Sequence, residues 1–383
     1  MKFQILIGAI SSGSGKTTLT LGLLRAFRNR KMKVQPFKCG PDYIDTKYHE
    51  LASGAKSINL DLFLSSEKHV KEIYAKYASL SDVAITEGVM GLFDGYDKMQ
   101  GSSALIAEKL NIPVILILNA KSMAYSVAPL LYGFKNFHKS LNLVGVIFNM
   151  VNTESHYKFL SDACNDAGVK PLGYLPKNEE LTVPSRYLGL NISHNFLFDE
   201  FADKTAVFVE KYIDIDNLLH LTEQGIESAT VTDGKSCFPP MRSAVASDEA
   251  FNFSYHENIE YLKKRGLVSF FSPLRDKELP KADFVYLPGG YPELYLDELS
   301  YNKSMLDDIR RYIEQGGQLL AECGGMMYLS SSITDSEGKE YPMVDIFQQK
   351  ATMEEMKLTL GYRRFKYNNI DVKGHEFHYS RTE

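Results

Sequence analysis

Two glycines, a lysine and two threonines at the end of an apolar run are the residue types that hold a nucleotide's phosphates. Ala9-Ile10-Ser11-Ser12-Gly13-Ser14-Gly15-Lys16-Thr17-Thr18 presents them between a first strand and a first helix. Glycines let successive backbone N–H groups turn inward, and the helix N-terminus adds positive potential. The lysine reaches the β- and γ-phosphates and the threonine hydroxyl holds Mg²⁺. Ser12, Gly13, Ser14, Gly15, Lys16, Thr17 and Thr18 are therefore the expected ATP-binding residues. The alternative is a Ser/Gly turn that only joins strand to helix. Ile10 stands where such loops want a small residue, and Ala9 supplies it one position earlier.

Acidic groups at the ends of neighbouring strands would complete a Mg²⁺–ATP site. Lys38-Cys39-Gly40-Pro41-Asp42-Tyr43-Ile44-Asp45 follows a second strand, and Thr86-Glu87-Gly88-Val89-Met90-Gly91-Leu92-Phe93-Asp94-Gly95 a third. Glu87 leaves a buried strand tip, where a carboxylate is either a metal ligand or a poorly compensated charge. The expected metal set is Thr17, Asp45 and Glu87, with Asp42, Tyr43 and Asp94 as substrate contacts. For Asp42 and Asp45 an Asx turn or helix cap after Pro41 is the alternative. Cys39 reads as a small buried residue.

A second chemistry lies near the C-terminus. Leu319-Leu320-Ala321-Glu322-Cys323-Gly324-Gly325 reads as strand, sharp turn and helix, with cysteine at the apex. A thiol there gains acidity from the helix N-terminus, and the turn's N–H groups face an oxyanion. Leu287-Pro288-Gly289-Gly290 ends another strand in a Gly-Gly turn, so Gly290 and Gly324 are the expected oxyanion donors for a Cys323 nucleophile. A buried structural cysteine is the alternative. The base would be an imidazole, and downstream only His375 and His378 are available. His378 is the expected base, with a structural or substrate-contacting role as its alternative.

Positioning these groups takes two α/β domains. Short apolar runs at Phe3–Ile7, Val34–Phe37, Val83–Thr86, Val114–Leu118 and Val144–Phe148 alternate with amphipathic stretches, the pattern of a parallel sheet covered by helices. After Thr17, the residues Leu19, Leu23, Leu24 and Phe27 fall at helical spacing, and Arg25, Arg28, Arg30 and Lys31 suit a helix C-terminus. The stretch from Asp214 to Gly234 is polar and lacks periodicity, so the expected division is a P-loop domain over 1–215, a linker over 216–240 and a second domain over 241–383. That second domain should hold strands Ser243–Ser247, Leu267–Phe271, Phe284–Leu287 and Gln318–Glu322, with helices Asn252–Arg265 and Lys303–Gln315.

Composition removes other classes. The chain has 383 residues, with 43 lysines and arginines against 48 acidic residues, so no nucleic-acid surface is implied by its charge. The longest apolar run, Ile112 to Leu118, is far below the ~20 residues needed to span a bilayer. Met1-Lys2-Phe3-Gln4-Ile5 leads into the phosphate loop without a cleavage site, and a cytoplasmic location is expected. Cys39, Cys164, Cys237 and Cys323 are scattered with no C-x-x-C pair, against a disulfide framework or a zinc site.

Taken together, SSGSGKTT, PFKCGPDYID, EGVMGLFDG, SDEAFNFSYHENIEYL, FSPLRD, YLPGGYPEL, AECGGMMYL and GHEFHYS, running from Ser11 to Ser380, resemble the cobyrinic acid a,c-diamide synthases and the related nickel-sirohydrochlorin a,c-diamide synthases. The resemblance implies a dethiobiotin-synthetase-like domain followed by a class I-like glutamine amidotransferase domain. It implies ATP- and glutamine-dependent amidation of two side-chain carboxylates of cobyrinate through acyl phosphates, with Mg²⁺, in an enzyme that could be a homodimer. The alternatives are amidation of a nickel tetrapyrrole or of the cobyric acid type, or a P-loop NTPase switch with a degenerate C-terminal half. This chain departs from the family in reading Arg186-Tyr187-Leu188-Gly189-Leu190 where Arg-His-Leu-Gly-Leu is usual. Relatives also continue past the GHEFHYS segment through a late His-bearing stretch, so a C-terminally incomplete amidotransferase domain is expected.

Overall fold

The computed structural model describes residues 2–181, 198–226 and 239–383. The described residues up to 226 form one compact unit and 239–383 a second. Cys237 and the segment from Arg186 to Leu190 lie outside the described residues.

The first unit is a seven-stranded parallel sheet. Its strands are β1 (Phe3–Ala9), β2 (Val34–Cys39), β3 (Ile58–Leu60), β4 (Val83–Glu87), β5 (Val114–Asn119), β6 (Leu143–Asn149) and β7 (Lys170–Leu175), in the order β3-β2-β4-β1-β5-β6-β7. Helices α1 (Lys16–Asn29), α2 (Ile44–Ser53), α3 (Glu67–Ala78), α4 (Ser103–Leu110), α5 (Val127–Asn136) and α6 (Glu154–Ala167) make the crossovers. Strands covered on both faces read as unbroken apolar runs rather than alternating ones. Ile5, Leu6, Ile7, Val114, Ile115, Leu116, Ile117 and Leu118 are all fully buried. Chain order reverses at β1, so the crevice for a ligand lies at the carboxyl ends of β1, β4 and their neighbours.

Two further helices, α7 (Phe198–Tyr212) and α8 (Ile215–Thr222), belong to this unit. The basic residues of α1 dock α7: Arg25 pairs with Asp199 and Asp203, and Arg30 with Glu210 at 2.7 Å. Helix α7 also explains why α1 is buried almost all round, since a Cβ at Gly22 would meet Val209 Cγ2 at 2.4 Å. The expected linker from 216 is therefore displaced. Leu218 and Thr222 are fully buried, and Gln224 N donates to Lys2 O at 3.0 Å beside the Phe3–Glu223 bridge.

The second unit carries a four-stranded parallel sheet of β8 (Ser243–Ala246), β9 (Val268–Phe271), β10 (Phe284–Leu287) and β11 (Gln318–Ala321), in the order β11-β10-β8-β9. Helices α9 (His256–Arg265), α10 (Leu296–Tyr301), α11 (Lys303–Glu314) and α12 (Gly324–Leu329) accompany it. The first of these starts at His256 rather than Asn252, because Phe251 and Phe253 are buried and Phe253 N donates to Gly289 O at 3.0 Å. The remaining chain is β-rich. It comprises β12 (Ser330–Thr334), β13 (Glu340–Pro342), β14 (Phe347–Thr352), a hairpin of β15 (Thr359–Tyr367) with β16 (Ile370–His378), and β17 (Arg381–Thr382). Among the described residues no helix is long and apolar enough to cross a membrane.

Candidate active sites

In the first unit, the phosphate loop leaves β1 and enters α1 with Gly13 at φ 76° and Gly15 at φ 104°. Only glycine takes these left-handed angles cheaply, and they turn the loop's N–H groups toward a shared centre. The loop is braced: Ser14 Oγ donates to Ser11 O at 2.9 Å, and Asn149 Nδ2, from the tip of β6, donates to Ser14 O at 2.9 Å. A Cβ at Gly15 would lie 2.3 Å from that Asn149 nitrogen. Lys16 Nζ donates to the Met90 carbonyl at 2.6 Å, and Thr17 Oγ1 donates to Glu87 Oε1 at 2.8 Å.

Glu87 is the hub of a buried network. Parallel pairing places Lys38 of β2 and Ile7 of β1 directly beside it. Lys38 Nζ lies 2.9 Å from Glu87 Oε1 and 2.6 Å from Asp45 Oδ2, while His49 Nε2 lies 2.7 Å from Glu87 Oε2 and His49 Nδ1 3.2 Å from Ser57 Oγ. Burial alone would raise the Glu87 carboxyl's pKa, but the Lys38 ammonium and His49 hold it well below the usual range. Burial pulls the Lys38 pKa down, and the carboxylates of Asp45, Glu87 and Asp42 override it and raise it. Cys39 is fully buried and its thiol is pushed up to about 12, chiefly by that burial.

Lys38 revises one of the expected roles. Asp45, expected as a metal ligand, is fully buried against the Lys38 ammonium. Asp42 caps the next helix: its Oδ1 accepts from Ile44 N at 2.8 Å and Asp45 N at 2.9 Å, fixing the entry to α2 beside Tyr43. Thr17 and Glu87 remain together. A hydroxyl and one carboxylate are the hard oxygen donors with which Mg²⁺ is held alongside substrate phosphates. Among the described residues no three His, Cys, Asp or Glu side chains form a metal cage. Asp94 Oδ2 accepts from Gly91 N at 2.9 Å and lines a cavity together with Met90 and Phe93.

In the second unit, Cys323 follows β11 at φ 48° and ψ −111°, a conformation that L-residues adopt only where surrounding structure enforces it. Strand β10 enforces it: Glu322 N donates to Leu287 O at 3.0 Å, and the phenol of Tyr286 donates to Glu322. A Cβ at Gly325 would sit 2.3 Å from Leu287 O, so α12 can begin this close to β10 only with glycine. The backbone N–H groups of Gly324 and Gly290 both donate to the Cys323 sulfur and stabilise its thiolate. Cys323 is exposed, against the buried-cysteine alternative, but desolvation at its sulfur and then the Glu293 carboxylate outweigh these donors and push the thiol up to about 11. Burial also raises the Glu293 carboxyl, to about 7.

Cys323, Glu293, Gly290 and His378 line one small cavity of about 20 Å³, closed over by Phe377, Tyr379 and Ser380. His378 thus shares the thiol's cavity, but its ring is engaged elsewhere: Nδ1 lies 2.9 Å from Ser380 O and Nε2 3.0 Å from Glu376 Oε1. His375 stacks with Phe377 and packs edge-on to Tyr362 in the hairpin. Sequence reasoning missed Lys38, His49, Asn149 and Glu293 as site residues. Lys38 and Asn149 carry a readable signal, since both lie at carboxyl ends of parallel strands.

Residues 5–189 match the CobQ/CobB/MinD/ParA nucleotide binding domain, and residues 242–383 the CobB/CobQ-like glutamine amidotransferase domain. The chain is similar to a cobyrinate a,c-diamide synthase of Caldanaerobacter subterraneus subsp. tengcongensis, at 41% identity over 99% of this chain and 86% of that protein. Its similarity to proteins of the same description is 41% in Picrophilus torridus, over 99% of this chain and 88% of that one, and 39% in Listeria monocytogenes, over 98% and 87%. Among solved structures, FtsY from Mycoplasma mycoides overlays with a TM-score of 0.35 and 12% identity, covering 46% of this chain and 60% of that one, a likeness that carries no weight here.

Proposed function

Because the chain belongs to the cobyrinate a,c-diamide synthase family, we propose that it amidates the a and c side-chain carboxylates of cobyrinate, consuming one ATP and one glutamine for each. The observation that carries this reading is the presence, in one chain, of the groups for two chemistries. A phosphate loop brings Thr17 to Glu87 and Lys16 to the Met90 carbonyl, and a cysteine elbow has two N–H groups aimed at its sulfur. A switch NTPase would need only the first.

A carboxylate is a poor electrophile, so one of its oxygens first attacks the γ-phosphorus of ATP and ADP departs, leaving an acyl phosphate. Ser12 to Thr18 cradle the phosphates, and Lys16 turns from the Met90 carbonyl to the γ-phosphoryl oxygens as charge develops there. Mg²⁺, held by Thr17 and Glu87, supplies neutralisation of the phosphate charge when bound. Asp42, Tyr43 and Asp94 are the proposed substrate contacts, with Lys38 and His49 keeping Glu87 ionised and oriented.

At the other centre the Cys323 thiolate attacks the side-chain amide carbon of glutamine. Gly290 and Gly324 receive the oxyanion, the C–N bond breaks and ammonia leaves, after which water hydrolyses the thioester to glutamate. The thiol lies above its ordinary value, so a base must take its proton at neutral pH. His378 is the proposed base, and acting so requires its ring to turn from Glu376 toward the sulfur. Ammonia then attacks the acyl carbon and phosphate leaves. The substrates and the free cysteines suit a cytoplasmic enzyme.

The test is to split the two activities with cobyrinate and mass spectrometry of the product. Lys16→Ala should abolish amidation with either glutamine or free ammonia, and Cys323→Ala should abolish only the glutamine-dependent reaction. Ammonia-dependent product from Lys16→Ala at the wild-type rate, or glutamine hydrolysis surviving in Cys323→Ala, would refute the assignment.

A further inference from the structure

The turn after β4 opens on a cavity of about 550 Å³ in the first unit, whose wall includes Met90, Phe93, Asp94, Lys98, Met99 and Phe137. That volume lies in the ~300–1,000 Å³ range of clefts that seat small molecules. Two thioethers and two aromatic rings make the wall apolar and polarisable. Phe93 and Phe137 meet edge-on at 5.1 Å, and Phe137 is 74% and Met90 42% exposed. Such apolar area left in water marks a contact surface.

The wall is built in advance. Tyr96 N donates to Gln100 O at 2.9 Å and Gln100 N to Asp97 O at 2.9 Å, and a Cβ at Gly95 would meet Gln100 O at 2.1 Å. This tight turn holds Lys98 at φ 51°, and among the described residues no carboxylate pairs with its ammonium. The cavity also has a defined relation to the chemistry. Met90, on its wall, is the residue whose carbonyl Lys16 touches, so the cavity adjoins the lysine of the phosphate loop.

We propose that this cavity seats one face of the tetrapyrrole substrate, Phe93, Phe137, Met90 and Met99 covering the macrocycle and Lys98 pairing with a peripheral carboxylate that is not reacting. A flat apolar ring with an anionic rim matches a thioether and aromatic wall whose cation, Lys98, is unpaired and whose one carboxylate, Asp94, is already held by the Gly91 N–H, and this seat would present a neighbouring carboxylate to the γ-phosphate. The inference rests on the cobyrinate reading above.

Equilibrium dialysis of cobyrinate against the full chain, without ATP or glutamine, tests it alongside ATP titrations of the same proteins. Phe137→Ala should weaken cobyrinate binding at least ~10-fold, Phe137→Leu should restore most of the loss, and Lys98→Glu should weaken it several-fold, more at low salt than at high. ATP affinity should stay unchanged in all three, which also reports an intact fold. Tyr132→Ala, exposed on α5 just before Phe137 and outside the cavity wall, should bind like wild type. If wild type binds cobyrinate and Phe137→Ala and Lys98→Glu bind it equally well, the seat is wrong and the proposed function stands. If wild type does not bind cobyrinate, the proposed function falls and the seat with it. Loss of ATP affinity, or a change of oligomeric mass by sedimentation with cobyrinate binding intact, would instead make the wall a nucleotide site or an interface between copies, and overturn the proposal.

Discussion

Lys38→Met keeps the aliphatic stem of Lys38 and removes only its charge. That ammonium is 2% exposed, 2.6 Å from Asp45 and 2.9 Å from Glu87, and both carboxylates are fully buried. At these separations each pair attracts by ~6 kcal/mol for an effective dielectric constant of about 20, and desolvation of the ions offsets much of it. The loss on substitution is governed by what is left behind, two buried carboxylates without their shared cation. Breaking a buried pair this way costs ~3–5 kcal/mol. At ~2–4 °C per kcal/mol for a domain of this size, the first unit should melt roughly 6–20 °C earlier. Differential scanning calorimetry of the full chain reads this directly. Two controls isolate the cause. Lys38→Met/Asp45→Asn should regain at least half of the lost temperature, since one stranded charge is gone. The single variant should also recover stability as pH falls from 8 to 5. Its carboxylates now have raised folded-state pKa values, so their penalty grows as pH rises through the unfolded value and vanishes below it. A single variant melting within about 2 °C of wild type, or a double variant no better than the single, would refute the account of Lys38 as the network's charge centre.

In wild type the sign is opposite for Glu87. Its depressed pKa contributes stability above the ordinary carboxylate value near 4.5, lost as pH falls below it, so Glu87→Gln should flatten the acid limb of the melting profile and an unaltered limb would contradict the network. Glu293→Gln removes a neighbouring charge that raises the Cys323 thiol, so the pH midpoint of iodoacetamide alkylation should shift below that of wild type; no shift would separate Glu293 from the thiol. Gly290→Ala would drive a Cβ to 2.0 Å from Ala250 O, displacing one of the two sulfur-facing N–H groups. Glutamine hydrolysis should drop ~10²- to 10³-fold with ammonia-dependent amidation retained, measured as glutamate release against amidated product, and equal loss of both would point to misfolding.

The phosphate loop and Glu87 were legible because the signal is local: glycines at positive φ, a lysine opening a helix, a carboxylate at an apolar strand's tip. Cys323 was legible for the same reason. Lys38 was not, although its motif was in view. A search for metal ligands weighs carboxylates and passes over the cation beside them, and only the β2–β4 register shows that Lys38 faces Glu87. Without that pairing Asp45 reads as a ligand. The basic run of α1 looked complete as a helix-end device, yet its partners, Asp199, Asp203 and Glu210, lie more than 170 positions away along the chain, and periodicity carries no information at that range. The linker was placed early because polar composition hid α8, whose buried side chains are only Ile215, Leu218 and Thr222. For His378, sequence reports an available imidazole but not that Glu376 and Ser380 hold both of its nitrogens.

The strand order carries a consequence for how the molecule is made. β1 holds the phosphate loop and lies between β4 and β5, so the first strand synthesised cannot be flanked on both sides until Asn119 has emerged from the ribosome. The loop's brace on Asn149 comes later still, and the Phe3–Glu223 bridge last of all. Contacts this distant in sequence close slowly. A chain growing at ~5–20 residues per second therefore carries Phe3–Ala9 unpaired on at least one edge for several seconds. A largely apolar strand exposed for that long recruits chaperones or aggregates, so the yield of active protein should depend more on translation speed between residues 9 and 119 than on anything near the nucleotide itself.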